Sequence, residues 1–220
     1  LPSNGKVLRG LLIEFAKLRD AELADWIEDQ VSCPSSMVDR IVPATTEKDR
    51  QNVQKQLSLE DQGVVVTESF SQWVLEDNFC AGRPAWEEVG VTMVVDVTPF
   101  EHMKLRMLNG THSTLAYLGF LAGHEYVADA ANDSDFQKLL LGMWQDEIIP
   151  TLNMPTGIDL QAYANDLMVR YQNPELHHRL YQIAMDGSQK LPQRLLGTLR
   201  DHLAANRLPK RIMLAIAGWM

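Results

Sequence analysis

Phe100-Glu-His-Met-Lys104-Leu-Arg-Met-Leu-Asn109-Gly-Thr-His112-Ser-Thr-Leu-Ala-Tyr-Leu-Gly-Phe-Leu121 begins one residue after Pro99 and ends two residues before Gly123. A proline in the first turn and a glycine past the end frame a single long helix. From here onward nearly every segment has helical spacing, with helices expected at 133–149, 159–171, 174–185 and 191–205 between Pro and Gly breaks. Upstream the pattern is mixed. Val7, Leu8, Leu11, Leu12 and Phe15 form a helical stripe, and a second helix follows Asp20, a candidate cap. A polar helix at 46–57 starts at Thr46 with a capping-box-like Asp49. Strands are expected around Val38–Val42, at Gly63–Thr67 and at Val91–Val97, all rich in β-branched residues. The fold class expected is mainly α with an α/β N-terminal part: residues 1–95, then a helical domain at 96–220.

The composition is that of a globular chain. Among 220 residues, 29 Asp and Glu oppose 20 Lys and Arg, giving a formal charge of −9, which argues against nucleic acid as a partner. The basic residues Lys190, Arg194, Arg200, Arg207, Lys210 and Arg211 alternate with Leu at helical spacing and read as a solvated helix face. No apolar run approaches the roughly 20 residues of a membrane-spanning helix, so no membrane partner is expected. Cys33 and Cys80 form no C-x-x-C, and a reducing, cytoplasmic location fits best. The chain opens on Leu1 without a Met and stops at Met220 within an apolar stretch, so a piece of a longer protein is expected.

The places where chemistry can sit are few. The 13 glycines include no G-x-G-x-x-G or Walker loop, H-E-x-x-H and nucleophile elbows are missing, and the adjacent His177 and His178 point about 100° apart on a helix. What remains is the central helix. With Lys104 set at 0°, His112 lies at about 80° and Asn109 at about 140°, beside Leu108 at about 40°. A cation, an amide and an imidazole thus interrupt the apolar stripe. Burial lowers a lysine's pKa toward the range of a base. On pattern alone the same residues also suit a snorkelling lysine and a core histidine. Two lesser clusters are Asp39-Arg40 at the end of a strand, which suits a ligand crevice or a structural ion pair, and Asp186-Gly-Ser-Gln-Lys190, a tight turn whose lysine can reach an anion.

Together these residues carry a resemblance. Leu1-Pro-Ser-Asn-Gly5, Met37-Val-Asp-Arg-Ile-Val-Pro43, Gln72-Trp-Val-Leu-Glu-Asp77, Gly82-Arg-Pro84, the Lys104/Asn109/His112 spacing and Ile183-Ala-Met-Asp-Gly-Ser-Gln-Lys190 resemble the mannitol dehydrogenase family of long-chain polyol and sugar-acid dehydrogenases. The resemblance runs over essentially the whole chain. It implies the tail of a Rossmann-type domain followed by an all-helical substrate domain, with NAD as cofactor, NADP not excluded, and no metal. By the resemblance, Lys104 is the general acid/base, and Asn109 and His112 hold the reacting oxygen. Asp39 and Lys190 contact substrate, with Arg179 and Arg40 as further cations for a carboxylate. Val38 is a cofactor contact, the main nucleotide site and a further substrate asparagine being expected upstream of Leu1. The polyol members carry an arginine where Gln182 stands here, which moves the expectation toward a fructuronate reductase-like sugar-acid enzyme. A mannitol or arabinitol 2-dehydrogenase is the nearest alternative, and a non-enzymatic helical interaction domain the more distant one. The 220 residues alone are expected not to bind NAD.

Overall fold

The structure, a computed structural model, describes residues 2–220; Leu1 of the Leu1–Gly5 stretch lies outside the described residues. The chain forms two compact units, one of residues 1–39 and 71–101, the other of residues 40–70 and 102–220.

In the first unit, α1 (Asn4–Lys17) and α2 (Ala21–Gln30) form an antiparallel-type hairpin around the Asp20 cap, whose carboxylate accepts from Glu22 N and Leu23 N at 2.9 and 3.3 Å. A three-stranded sheet follows in the order β1 (Ser36–Asp39), β2 (Gln72–Glu76), β3 (Thr92–Val94), with β1 antiparallel and β3 parallel to β2. Val74 on the central strand is fully buried, with Met37, Ala24 and Val97 also in this core. The Glu76 carboxylate, itself buried, accepts from Ser35 N at 2.9 Å and Val97 N at 3.4 Å, satisfying two buried backbone donors. Gly5 is required where it stands, because a Cβ there would lie 2.1 Å from the Cys33 carbonyl oxygen.

The second unit is helical. Its inserted segment 40–70 carries α3 (Glu47–Leu57), opened by the Thr46/Asp49 capping box. The strand expected at Gly63–Thr67 does not form. Val64–Thr67 runs extended without a backbone ladder, tied to the facing segment by side-chain bonds such as Thr45 Oγ1 to Val64 O (2.8 Å) and Thr67 Oγ1 to Ile41 O (3.3 Å); that segment contains Pro43, which has no N–H to give a ladder. The helix expected from Phe100 runs unbroken over 98–121 (α4). It begins in the first unit and continues through the second. After it come α5 (Val127–Asn132), α6 at 134–148, α7 (Leu160–Tyr171), α8 (Leu180–Ala184), α9 at 187–204 and α10 (Lys210–Trp219). Met107, Leu115, Trp144, Ile148, Leu167, Leu195 and Ile212 fill the core without exposure.

Two details hold the last helix, α10, in place. The first turn of α10 has no local cap. Instead the buried Glu147 carboxylate on α6 accepts from Arg211 N at 3.0 Å and Ile212 N at 2.9 Å. Trp219 packs against Gly187, where a Cβ would come within 2.0 Å of the indole nitrogen, so the Asp186-Gly turn and the last helix fit each other. Asp186 itself takes the left-handed conformation, φ 58°.

Candidate active site

The central helix is not a uniform α-helix. Residues Lys104–Gly110 and Leu115–Gly119 are π-helical, bonded i to i+5. The first wide turn has identifiable partners. Met107 O accepts from Trp144 Nε1 at 3.0 Å, and Leu108 O accepts from the Tyr171 hydroxyl at 2.6 Å. The Thr111 hydroxyl bonds back to Met107 O and lies 2.9 Å from the Tyr171 oxygen. Carbonyls tilted away from α geometry are thus taken up by side chains from two other helices. The consequence falls on the candidate residues. In an α-helix, residues five apart diverge by about 140°. Where bonding runs i to i+5, a residue five ahead lies close to one turn on, which draws Lys104 and Asn109 toward a common side.

Lys104 and Asn109 are half-buried, and His112, one short α turn further, is 7% exposed. The His112 ring stacks on Tyr171 (centroids 5.5 Å apart, planes at 11°) and meets His178 edge-on at 4.9 Å. Its Nε2 is buried and has no hydrogen-bond partner, nor has Nδ1 of His178. Burial, then the positive charges of His178, Arg194, Arg170 and Lys190, hold the His112 pKa well below the usual imidazole value, so it is neutral at pH 7. Burial followed by Lys190 lowers His178 in the same direction. A narrow pocket opens onto these rings, lined by Ile41, His112, Tyr126, Arg170, Tyr171 and His178 among others.

Lys190 turns inward, its Nζ donating to Ile183 O at 3.1 Å, and burial and Arg194 lower its pKa. Arg179 is exposed, pairs with Glu125 at 3.4 Å and lies over the Tyr126 ring. Arg40 closes the base of the inserted segment, donating to Thr67 Oγ1 at 2.6 Å and to Glu68 O at 3.0 and 3.2 Å. Asp39 and Val38 belong to the first unit. Asp39 is fully buried opposite Gln72 at the end of β1, and Val38, half exposed, faces Trp73. The structure therefore gathers Lys104, Asn109 and His112 on one helix, sets Lys190 in the electrostatic field of His112, and gives Arg179 and Arg40 other partners.

Three neighbours of His112 were not singled out by sequence reading: Tyr171, His178 and Arg194. Arg194 belongs to the stretch read as a solvated face, yet it is half-buried and donates from Nη1 to Ser113 Oγ at 3.0 Å. Its i+4 spacing from Lys190 was the available signal, since that places both on one side of α9.

Comparison with known proteins agrees with this architecture. Residues 1–88 match the mannitol dehydrogenase Rossmann domain and residues 96–220 the mannitol dehydrogenase C-terminal domain. D-mannonate oxidoreductase of Escherichia coli is 51% identical over 217 residues, 99% of this chain and 45% of that protein. Mannitol 2-dehydrogenase of Aspergillus fumigatus is 39% identical over 222 residues, all of this chain and 44% of that one. The solved structure of Pseudomonas fluorescens mannitol 2-dehydrogenase, a ternary complex with NAD and D-mannitol, superposes with a TM-score of 0.89 at 42% identity, covering all of this chain and 44% of that one. The chain spans somewhat under half the length of these relatives. A Rossmann-type N-terminal part followed by a helical domain, matched along both by family models, means that this chain belongs to the mannitol dehydrogenase family.

Proposed function

We propose that this chain supplies the substrate-handling residues of an NAD-dependent dehydrogenase that interconverts a secondary alcohol and a ketone on a sugar acid, fructuronate reductase-like, with residues 1–95 on the nucleotide side and 96–220 on the substrate side. The observation that carries the reading is His112: a neutral, buried imidazole with a free ring nitrogen, on the same helix as a half-buried amide and a half-buried amine.

Oxidising a secondary alcohol removes a hydride from carbon and a proton from oxygen, so the oxygen passes through alkoxide character. NAD, when bound, supplies the hydride acceptor. The rest falls to this chain. Lys104, in its unprotonated form, takes the hydroxyl proton at Nζ. Asn109 Nδ2 and His112 Nε2, in the tautomer protonated there, donate to the oxygen as its charge grows, and a neutral imidazole does so without losing its proton. Returning the proton from Lys104 to the oxygen runs the reaction toward alcohol.

The described residues contain no glycine-rich strand-turn-helix, so none is assigned to the cofactor's phosphates. Val38, exposed at the strand end, is proposed as a cofactor contact and Asp39 as a substrate contact. Lys190 is proposed as a substrate cation, with Arg179 and Arg40 behind it because both already have partners. The oxygen's charge is assigned to side-chain donors, so no zinc is required, and dialysis against a chelator should leave the rate unchanged. The two free cysteines fit a reducing compartment, and a cytoplasmic location is part of the proposal.

The test is Lys104→Ala in the complete gene product. A loss in kcat of about 10²- to 10⁴-fold is expected, with the acidic limb of the pH profile removed for alcohol oxidation and the basic limb removed for ketone reduction; wild-type kcat across the pH range would refute the base assignment. A kcat/KM for fructose above that for fructuronate would remove the sugar-acid preference and favour a polyol enzyme.

A further inference from the structure

The half-buried and buried arginines of the helical unit follow a rule that one of them breaks. Arg50 pairs with Glu47, Arg106 with Asp201, Arg170 with Glu68, and Arg211 with Asp146 and Glu147. Arg194 forms no ion pair among the described residues. Its Nη1 has only the Ser113 hydroxyl, and its Nε is buried with no partner at all. A guanidinium taken out of water without a carboxylate is costly, and its lowered pKa reports that cost.

The position of Arg194 is set by packing. Its own helical turn, Pro192–Leu196, is pressed on the π-helical turn of α4, where a Cβ on Gly110 would come within 2.8 Å of the Arg194 carbonyl oxygen. Ser113, which receives the guanidinium, directly follows His112 in the chain. Lys190 lies one turn before Arg194 on α9, and two further buried nitrogens without partners, His178 Nδ1 and His112 Nε2, belong to the rings whose charge state this cluster influences. Arg170 nearby is neutralised by Glu68, and of the carboxylates only Asp186 draws on Lys190. The locale therefore holds more positive charge than the protein balances, along with unfilled donor sites.

We propose that Arg194 is a specificity-determining residue that binds the carboxylate of an anionic, sugar-acid substrate, with Lys190 as the second cation. The inference rests on the dehydrogenase reading above and adds to it a residue that chooses acid over neutral sugar. A guanidinium offers a carboxylate two parallel N–H donors, which an ammonium cannot match.

The experiment compares wild type, Arg194→Met, Arg194→Lys and Lys190→Met in the complete gene product, each checked for an unchanged thermal unfolding profile. The readouts are kcat/KM for D-fructuronate and D-fructose, and binding of D-mannonate and D-mannitol by calorimetry. Loss of one charge-assisted pair should lower the acid-to-neutral ratio of kcat/KM by about 10- to 100-fold in Arg194→Met, with partial recovery in Arg194→Lys. An equal loss on both substrates would reduce Arg194 to a structural role and overturn the proposal, as would a shift in ratio confined to Lys190→Met. If wild type turns over neither substrate but binds D-mannonate through Arg194, the dehydrogenase reading falls and the anion site stands. If D-mannonate neither binds nor reacts, both fall.

Discussion

Tyr171→Phe removes one oxygen and leaves the ring that stacks on His112. The lost hydroxyl donates to Leu108 O at 2.6 Å and lies 2.9 Å from Thr111 Oγ1, both buried. Neither partner is orphaned, since Leu108 O still accepts from Thr111 N and Thr111 Oγ1 still bonds Met107 O. With the Thr111 proton given to Met107 O, the expected cost is the net worth of the one hydrogen bond that the Tyr171 hydroxyl donates, about 0.5–1.5 kcal/mol, without the larger penalty of an unsatisfied buried group. At about 1 kcal/mol, a chain of this size should lose about 2–4 °C in Tm. Urea unfolding followed by the fluorescence of Trp144, whose ring centroid lies 6.4 Å from that of Tyr171, reads the change where it occurs. Because the hydroxyl helps hold the wide turn that draws Asn109 toward Lys104, kcat should fall as well, while substrate KM changes less. Combining it with Trp144→Phe, which releases Met107 O, should give a non-additive loss as the turn relaxes toward α geometry. A stability loss under about 0.5 kcal/mol, or strict additivity with Trp144→Phe, would refute the claim that these side chains hold the π-helical turn.

Three further outcomes follow from the same site. Since burial keeps His112 neutral in the folded protein while the unfolded chain protonates it below about pH 6.5, stability should fall with decreasing pH there by up to about 1.4 kcal/mol per unit, His178 acting in the same sense, and His112→Asn should flatten that slope in pH-dependent urea titrations. Gly110→Ala places a Cβ 2.8 Å from Arg194 O and 3.4 Å from Leu195 Cδ2, and should cost about 1–3 kcal/mol in denaturant unfolding by forcing the two helices apart. Glu68→Gln leaves the Arg170 guanidinium buried against a neutral amide in place of contacts at 2.8 and 2.9 Å, and should cost about 3–5 kcal/mol by the same measurement, more than any surface pair such as Lys138–Asp135.

Much of this architecture could be read from local signals. Pro99 and Gly123 marked the span of α4, Asp20 and Thr46 capped the helices they precede, and the Lys104, Asn109 and His112 spacing stood out against an apolar stripe. The failures were of a different kind. The Val64–Thr67 run has strand propensity, but a ladder needs a partner with N–H groups, and Pro43 on the facing segment is visible as such only once the chain is folded. Angular reckoning assumed an ideal α-helix and so could not anticipate the π-helical turn at Lys104–Gly110, which is held by Trp144 and Tyr171 from helices far along the chain. The cap of α10 was invisible for the same reason, being a carboxylate 64 residues before the nitrogen it accepts from. Arg194 looked like a solvated cation because its surroundings, not its sequence neighbours, turn it inward.

The inserted segment 40–70 has a bearing on how such enzymes could be recombined. Its Glu68 is ion-paired to Arg170, its Arg40 and Ile41 tie its two ends together, and it belongs with residues 102–220. A chimera that exchanged the helical half across a single junction anywhere between residues 71 and 101 would separate Glu68 from Arg170, leaving each to meet a foreign partner. Grafts intended to transplant substrate preference between relatives would have to carry two pieces of chain, the short one threaded back into a host sheet between β1 and β2.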